Sequence, residues 1–185
     1  GGKSPFIVFN DANLESAVNA SIAGIFGATG QSCVAGSRLY LQEEIADEFL
    51  NKIVQQANEI ILGDPLEEAT QMGPLCTKSQ LSHIKNQIST ALREGGKILC
   101  GGEAWGDGES LFFKPTIISC PKQNLEIVNT ELFGPVLTVI RFKTESEVIE
   151  LANAEGFPID SLTLLRRWNK VSDFTKPTWF GWFDD

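Results

Sequence analysis

The chain has 185 residues, 42% of them hydrophobic and 21% charged, with a formal net charge of −9; that length fits one domain able to bury roughly 70% of its unfolded surface without disulfide or metal. The negative balance argues against a nucleic-acid backbone or an anionic membrane as a partner, and Arg166-Arg167, the one adjacent basic pair, reads as surface. No run reaches the roughly 18 apolar residues of a spanning helix and no basic-then-apolar leader opens the chain. Its four cysteines, at 33, 76, 100 and 120, show no C-x-x-C spacing and accompany a single histidine, His83, so the expectation is no metal site and reduced thiols in the cytoplasm.

In chain order, Ser4-Pro5-Phe6-Ile7-Val8-Phe9 reads as a short buried strand closed by Asn10-Asp11. From Asn13 to about Ala28, Leu14, Ala17, Val18, Ile22, Ile25 and Phe26 recur at three and four residues, a helical stripe with Asp11 or Asn13 as its N-cap. Arg38 to Leu41 is a strand, and Glu44 to Leu62 a second amphipathic helix stopped by Gly63-Asp64-Pro65. After Met72-Gly73-Pro74, a third helix runs from about Thr77 to Arg93, capped by Gly95-Gly96. Strands are expected at Lys97 to Cys100, Phe112 to Ile118 and Val136 to Phe142, with a Gly-rich loop from Gly101 to Gly108 and a short helix from Glu145 to Asn153.

Strands alternating with helices of ten or more residues indicate an α/β fold, a largely parallel open sheet flanked by helices. Residues 1–155 read as one α/β domain and 156–185 as its divergent end. That end has no clean period, holds three of the four tryptophans, and offers Ser161 to Leu165 and Trp179 to Phe183 as strands.

The chemistry is carried by Gly30-Gln31-Ser32-Cys33-Val34-Ala35-Gly36-Ser37-Arg38. A cysteine among small residues, just past a helix end, is accessible to a substrate and to backbone N–H donors that can receive developing negative charge. On spacing alone Cys33 reads better as a small buried residue, and only the surrounding motifs turn the reading toward a nucleophile. Gly24 to Gly30 superficially suggests a phosphate-binding loop, but the G-x-x-x-x-G-K-[ST] spacing and a preceding strand are missing; close packing and a helix end explain it better. His83 falls on the polar side of its helix, and Cys76, Cys100 and Cys120 read as core or loop thiols.

Taken together, Gly1-Gly2-Lys3-Ser4-Pro5, the Cys33 segment, Gly63-Asp64-Pro65, Met72-Gly73-Pro74, Lys114-Pro115-Thr116 and Glu131-Leu132-Phe133-Gly134-Pro135-Val136 resemble the catalytic domain of the aldehyde dehydrogenase superfamily. They fall in the family's order with family-like spacing. The resemblance implies NAD- or NADP-dependent oxidation of an aldehyde to a carboxylic acid, with Cys33 as the nucleophile passing through a thiohemiacetal and a thioester. It implies Glu131 gripping the nicotinamide ribose, Phe133 beside the nicotinamide, and Gln80 and His83 on a helix that in some relatives reaches the adenosine ribose.

The resemblance also implies a general-base glutamate, an oxyanion-hole asparagine and the rest of the cofactor-binding domain upstream of Gly1. Phe157-Pro158-Ile159-Asp160 and Trp179 to Asp185 depart from the family pattern. The chain is therefore expected to be a fragment that does not oxidise aldehydes unaided. Homo-oligomer formation, a non-enzymatic self-associating or partner-binding role on the same fold, and a residual thiol esterase activity are the alternatives.

Overall fold

A computed structural model describes residues 2–107, 110–153, 162–165 and 181–182. The departures expected at 157–160 and at 179–180 and 183–185 lie outside the described residues, as do most of the positions in the divergent end.

Nine strands and five α-helices occur in the described chain. β1 (Pro5–Val8) leads to α1 (Leu14–Phe26), β2 (Arg38–Gln42), α2 (Glu43–Glu59) and α3 (Lys78–Arg93). β3 (Lys97–Cys100), β4 (Ala104–Trp105), β5 (Phe112–Phe113) and β6 (Thr116–Ser119) precede α4 (Glu126–Asn129). β7 (Val136–Phe142), α5 (Glu145–Ala152), β8 (Leu162–Leu165) and β9 (Gly181–Trp182) follow.

Seven strands form one sheet in the order β3-β6-β7-β2-β1-β8-β9. Every pairing is parallel except β3 with β6 at one edge. Central parallel strands are buried on both faces, which is why β1 and β2 read as nearly continuous apolar runs. Alternate residues serve two cores. Ile7, Tyr40, Ile118, Val136 and Ile140 face α3, α4 and α5 through Ile84, Ile88, Ile127 and Val148. Phe6, Val8, Leu39, Leu41 and Val139 face α1 and α2 through Val18, Ile25, Phe49 and Ile53.

The helices start where their caps place them. Asn13 accepts from the Ser16 N–H at 3.0 Å, Thr77 from Gln80 at 3.2 Å and Thr144 from Glu147 at 3.3 Å. The continuous strand expected from Phe112 to Ile118 is instead two strands. Pro115 has no N–H to donate, and the break lets β5 pair with β4 in a separate hairpin while β6 joins the main sheet. That hairpin also takes Ala104–Trp105 out of the expected loop. The short α4 was not expected; four residues are too few to show a period.

The topology locates the site. The segments entering β1, β2 and β7 are Gly2–Ser4, Ser32–Ser37 and Glu131–Pro135, and those three strands are neighbours. Their register aligns Pro5 with Arg38 and Arg38 with Thr138. Three entry loops therefore meet at the N-terminal edge of the sheet.

Candidate active site

The thiol segment begins where α1 ends. Ala28, Thr29 and Gly30 adopt φ of 49°, 58° and 67° in succession, a left-handed turn that costs a non-glycine residue about 1–2 kcal/mol. Gly30 is required sterically as well as conformationally: a Cβ there would collide with the Gly134 carbonyl oxygen. The thiol loop and the Glu131–Gly134 loop are thus in backbone contact. From Gln31 the chain makes a turn closed by the Ala35 N–H to the Ser32 carbonyl at 3.2 Å, and Gly36 N–H is tied to the Gly24 carbonyl at 3.2 Å. Cys33 stands exposed on that turn, and its own N–H has no partner among the described residues.

Beside the turn lies a small cleft of about 240 Å³, counting the space open to solvent, lined by Gly2, Gly30, Ser32, Ala35, Glu131 and Phe133 among others. Glu131 is half-buried, and its Oε1 accepts from the Gly2 N–H at 3.1 Å. Phe133 sits at φ 50° with its side chain 43% exposed, and its carbonyl accepts from Gln80 Nε2 on the first turn of α3.

The sequence model of the aldehyde dehydrogenase family matches residues 1–176. The chain belongs to the aldehyde dehydrogenase family. It is 46% identical, over 162 residues, to (Z)-2-((N-methylformamido)methylene)-5-hydroxybutyrolactone dehydrogenase of Acinetobacter baylyi, a match covering 87% of this chain and 33% of that protein. The NAD+ complex of an aldehyde dehydrogenase from Bacillus cereus superposes with a TM-score of 0.86 at 36% identity, over 90% of this chain and 34% of that one. A point mutant of betaine aldehyde dehydrogenase from Staphylococcus aureus, in complex with NAD+ and carrying a BME-modified cysteine, gives 0.84 at 35% identity over the same 90% and 34%. The chain spans about a third of the length of the relatives it matches.

Within this aldehyde dehydrogenase segment, the loops that carry Cys33, Glu131 and Phe133 meet at one end of the sheet; Glu131 and Phe133 line the cleft, Cys33 stands on the adjoining turn, and Gln80 joins them through the Phe133 carbonyl. His83 is exposed, one turn further along α3. Cys76 is exposed too, whereas Cys100 and Cys120 are buried, and burial pushes their thiols up to about 11 and about 12. No group of three or more His, Cys, Asp or Glu suited to a metal ion occurs among the described residues, and no described helix is long and apolar enough to cross a membrane.

Two features of the site were not anticipated. The first is a buried basic pair beneath the cleft. Lys3 is 2% exposed with its Nζ unpartnered; burial, and secondarily Arg38, lower its pKa to about 7, against smaller opposing effects of Cys120 and Glu131. Arg38 is fully buried, its Nε donating to the Lys3 carbonyl at 2.6 Å and its other nitrogens to the Tyr40 hydroxyl at 3.0 Å and the Ala152 carbonyl at 3.3 Å. Burial lowers its pKa and raises that of Tyr40. The Tyr40 hydroxyl has the Gln123 side-chain oxygen at 2.9 Å and the Leu151 carbonyl at 3.3 Å as acceptors. The second is Gln31, whose side chain bridges the thiol loop to Pro74 and Cys76. Nothing in the sequence marks a lysine for burial or names an amide's partners more than forty residues away.

Proposed function

We propose that residues 1–155 are the thiol-bearing catalytic unit of an NAD(P)-dependent aldehyde dehydrogenase, with the remaining residues the end of the same domain. The observation that carries this reading is the backbone contact of the exposed Cys33 turn with the Glu131–Gly134 loop at Gly30, which supports a nucleophile working with a held carboxylate and an exposed ring.

Cys33 is the nucleophile. As thiolate it adds to the carbonyl carbon of an aldehyde, forming a C–S bond, and the carbonyl oxygen becomes an oxyanion that the unengaged Cys33 N–H can receive. A nicotinamide held by Glu131 and Phe133 would supply the hydride acceptor that oxidation of this thiohemiacetal to a thioester requires. Water then attacks the thioester, releasing the carboxylic acid and restoring the thiol. The sum is aldehyde, water and oxidised cofactor giving carboxylate, reduced cofactor and protons.

The donor set suits a dinucleotide's nicotinamide end. A carboxylate accepts up to about four hydrogen bonds, so Glu131, anchored by Gly2, can also take sugar hydroxyls. The exposed Phe133 ring offers a face beside it, and Gln80 fixes that residue's backbone. The cleft encloses only about 10 Å³, far below the roughly 300–1,000 Å³ usual for whole ligands, so the rest of the cofactor would be held by a segment outside this third of the enzyme. His83, exposed on α3, would face the adenosine side of that cofactor together with Gln80. The solved relatives with bound NAD+ support the cofactor class, and betaine aldehyde is one aldehyde to try.

The test is NADH formation from an aldehyde, first with the 185-residue chain and then with that chain joined to the cofactor-binding segment of a relative. The chain alone is expected to form none. The joined protein is expected to form it, with Cys33→Ser reducing turnover to background. Turnover that persists in Cys33→Ser would overturn the assignment.

A further inference from the structure

We infer that Gln31 is a positioning residue for the acyl-transfer chemistry of Cys33: its two-ended amide holds the thiol turn in register with the Pro74–Cys76 segment. The inference rests on the reading of Cys33 as nucleophile.

Gln31 Nε2 donates to the Pro74 carbonyl at 3.3 Å, and Gln31 Oε1 accepts from the Cys76 N–H at 2.9 Å. One planar group is thus used at both ends against a segment more than forty residues away. Thr29 Oγ1 adds a parallel tie to the Gly73 carbonyl at 3.1 Å. Between and beside these ties lie the three left-handed residues Ala28, Thr29 and Gly30. A strained turn relaxes unless its surroundings over-determine it, and on this flank the fixing side chains are Thr29 and Gln31. Downstream, the backbone is held through Ala35, Gly36 and Ser37, whose carbonyl accepts from Thr138. Cys33 lies between the two anchored ends, with its N–H unengaged.

The consequence is selective. Acylation of Cys33 by an ester develops an oxyanion that must lie within reach of the Cys33 N–H. Alkylation by iodoacetamide displaces iodide at a saturated carbon and develops no oxyanion. Loosening the turn therefore impairs the first reaction and spares the second.

The experiment compares wild type, Gln31→Met and Gln31→Glu in the 185-residue chain. In acylation by p-nitrophenyl acetate, the thiolate attacks the ester carbonyl, the bond to oxygen breaks, p-nitrophenolate leaves and an acetyl thioester forms on Cys33. Alkylation by iodoacetamide is read on the same thiol by peptide mass spectrometry. Gln31→Met, which keeps the length and removes both hydrogen bonds, is expected to lower acylation about tenfold or more, less than the roughly hundred- to thousandfold loss when an oxyanion donor is removed outright. Alkylation is expected to change less than about twofold. Gln31→Glu, which keeps the acceptor for Cys76, is expected to fall between.

An unchanged ratio of acylation to alkylation in Gln31→Met would overturn the inference while leaving the nucleophile reading intact. Parallel loss of both reactions, with Cys100 and Cys120 becoming reactive, would show a purely structural role and also overturn it. Wild-type Cys33 that neither acylates nor alkylates faster than Cys76 would defeat the nucleophile reading, and the inference with it.

Discussion

Replacing Lys3 by methionine removes a buried amine while keeping an unbranched side chain of similar length. In the folded protein Lys3 is 2% exposed, its Nζ has no partner, and its pKa is lowered from 10.5 to about 7. Each pKa unit corresponds to about 1.4 kcal/mol, so three and a half units set an upper limit of about 5 kcal/mol on what the charged amine costs the folded state. The sign follows from proton linkage. Between pH 7 and 10.5 the unfolded chain binds a proton at this lysine and the folded chain does not, so wild-type stability gains from rising pH across that window. Below about pH 7 both states are protonated and the full cost persists; above 10.5 it vanishes. Lys3→Met loses this dependence, at a repacking cost of less than about 1.5 kcal/mol.

Urea denaturation of both proteins from pH 6 to 10 measures the difference directly, and groups common to both cancel. The expected result is a variant more stable by about 1–4 kcal/mol near pH 7, with the gap closing toward pH 10 and an unchanged urea dependence. A gap that stays constant with pH, or a variant less stable than wild type at pH 7, would refute the assignment of Lys3 as a buried, unpaired amine.

Gly30→Ala places a Cβ against the Gly134 carbonyl at φ 67°; the expected loss is about 2–5 kcal/mol from the left-handed conformation and the overpacking together, read as a lower melting temperature. A loss below about 1 kcal/mol would mean the two loops are not in contact. Cys100 and Cys120, pushed up to about 11 and about 12 by burial, are expected to resist iodoacetamide at pH 8 and to label fully in denaturant; labelling in the native state would contradict the packing. Thr77→Ala removes the acceptor for the Gln80 N–H and is expected to cost about 1 kcal/mol by urea denaturation, with no loss expected if the cap is not formed.

Much of this architecture is legible in the residues because its determinants are local. The stripe from Leu14 to Phe26, the cap at Asn13, and the β-rich runs at 38–41 and 136–142 each announce an element within a dozen residues. The break between β5 and β6 was harder: apolar pairs flank Lys114-Pro115-Thr116 on both sides, and tertiary pairing assigns Phe113 to one sheet and Thr116 to another. At the site, Cys33, Glu131 and Phe133 are visible as motif residues, and adjacent entry into β1, β2 and β7 brings their loops together. Gln31 and Lys3 were invisible as functional residues for a common physical reason. What matters for each is its surroundings in three dimensions, a partner segment more than forty positions away or a fully desolvated pocket, and neither leaves a local pattern. Gln80 illustrates the converse: its helix is plain in the sequence, but the structure directs its amide to the Phe133 carbonyl.

The most direct test of the account compares Cys33 with Cys76, the two exposed thiols of one molecule, by timing their acylation by p-nitrophenyl acetate in a single native sample. Cys33 acylated at least about tenfold faster is the predicted result, since its unengaged N–H can receive the oxyanion that acylation develops, whereas the Cys76 N–H is already taken by Gln31 Oε1. Equal rates at the two positions would contradict the claim that this edge of the sheet is a catalytic site.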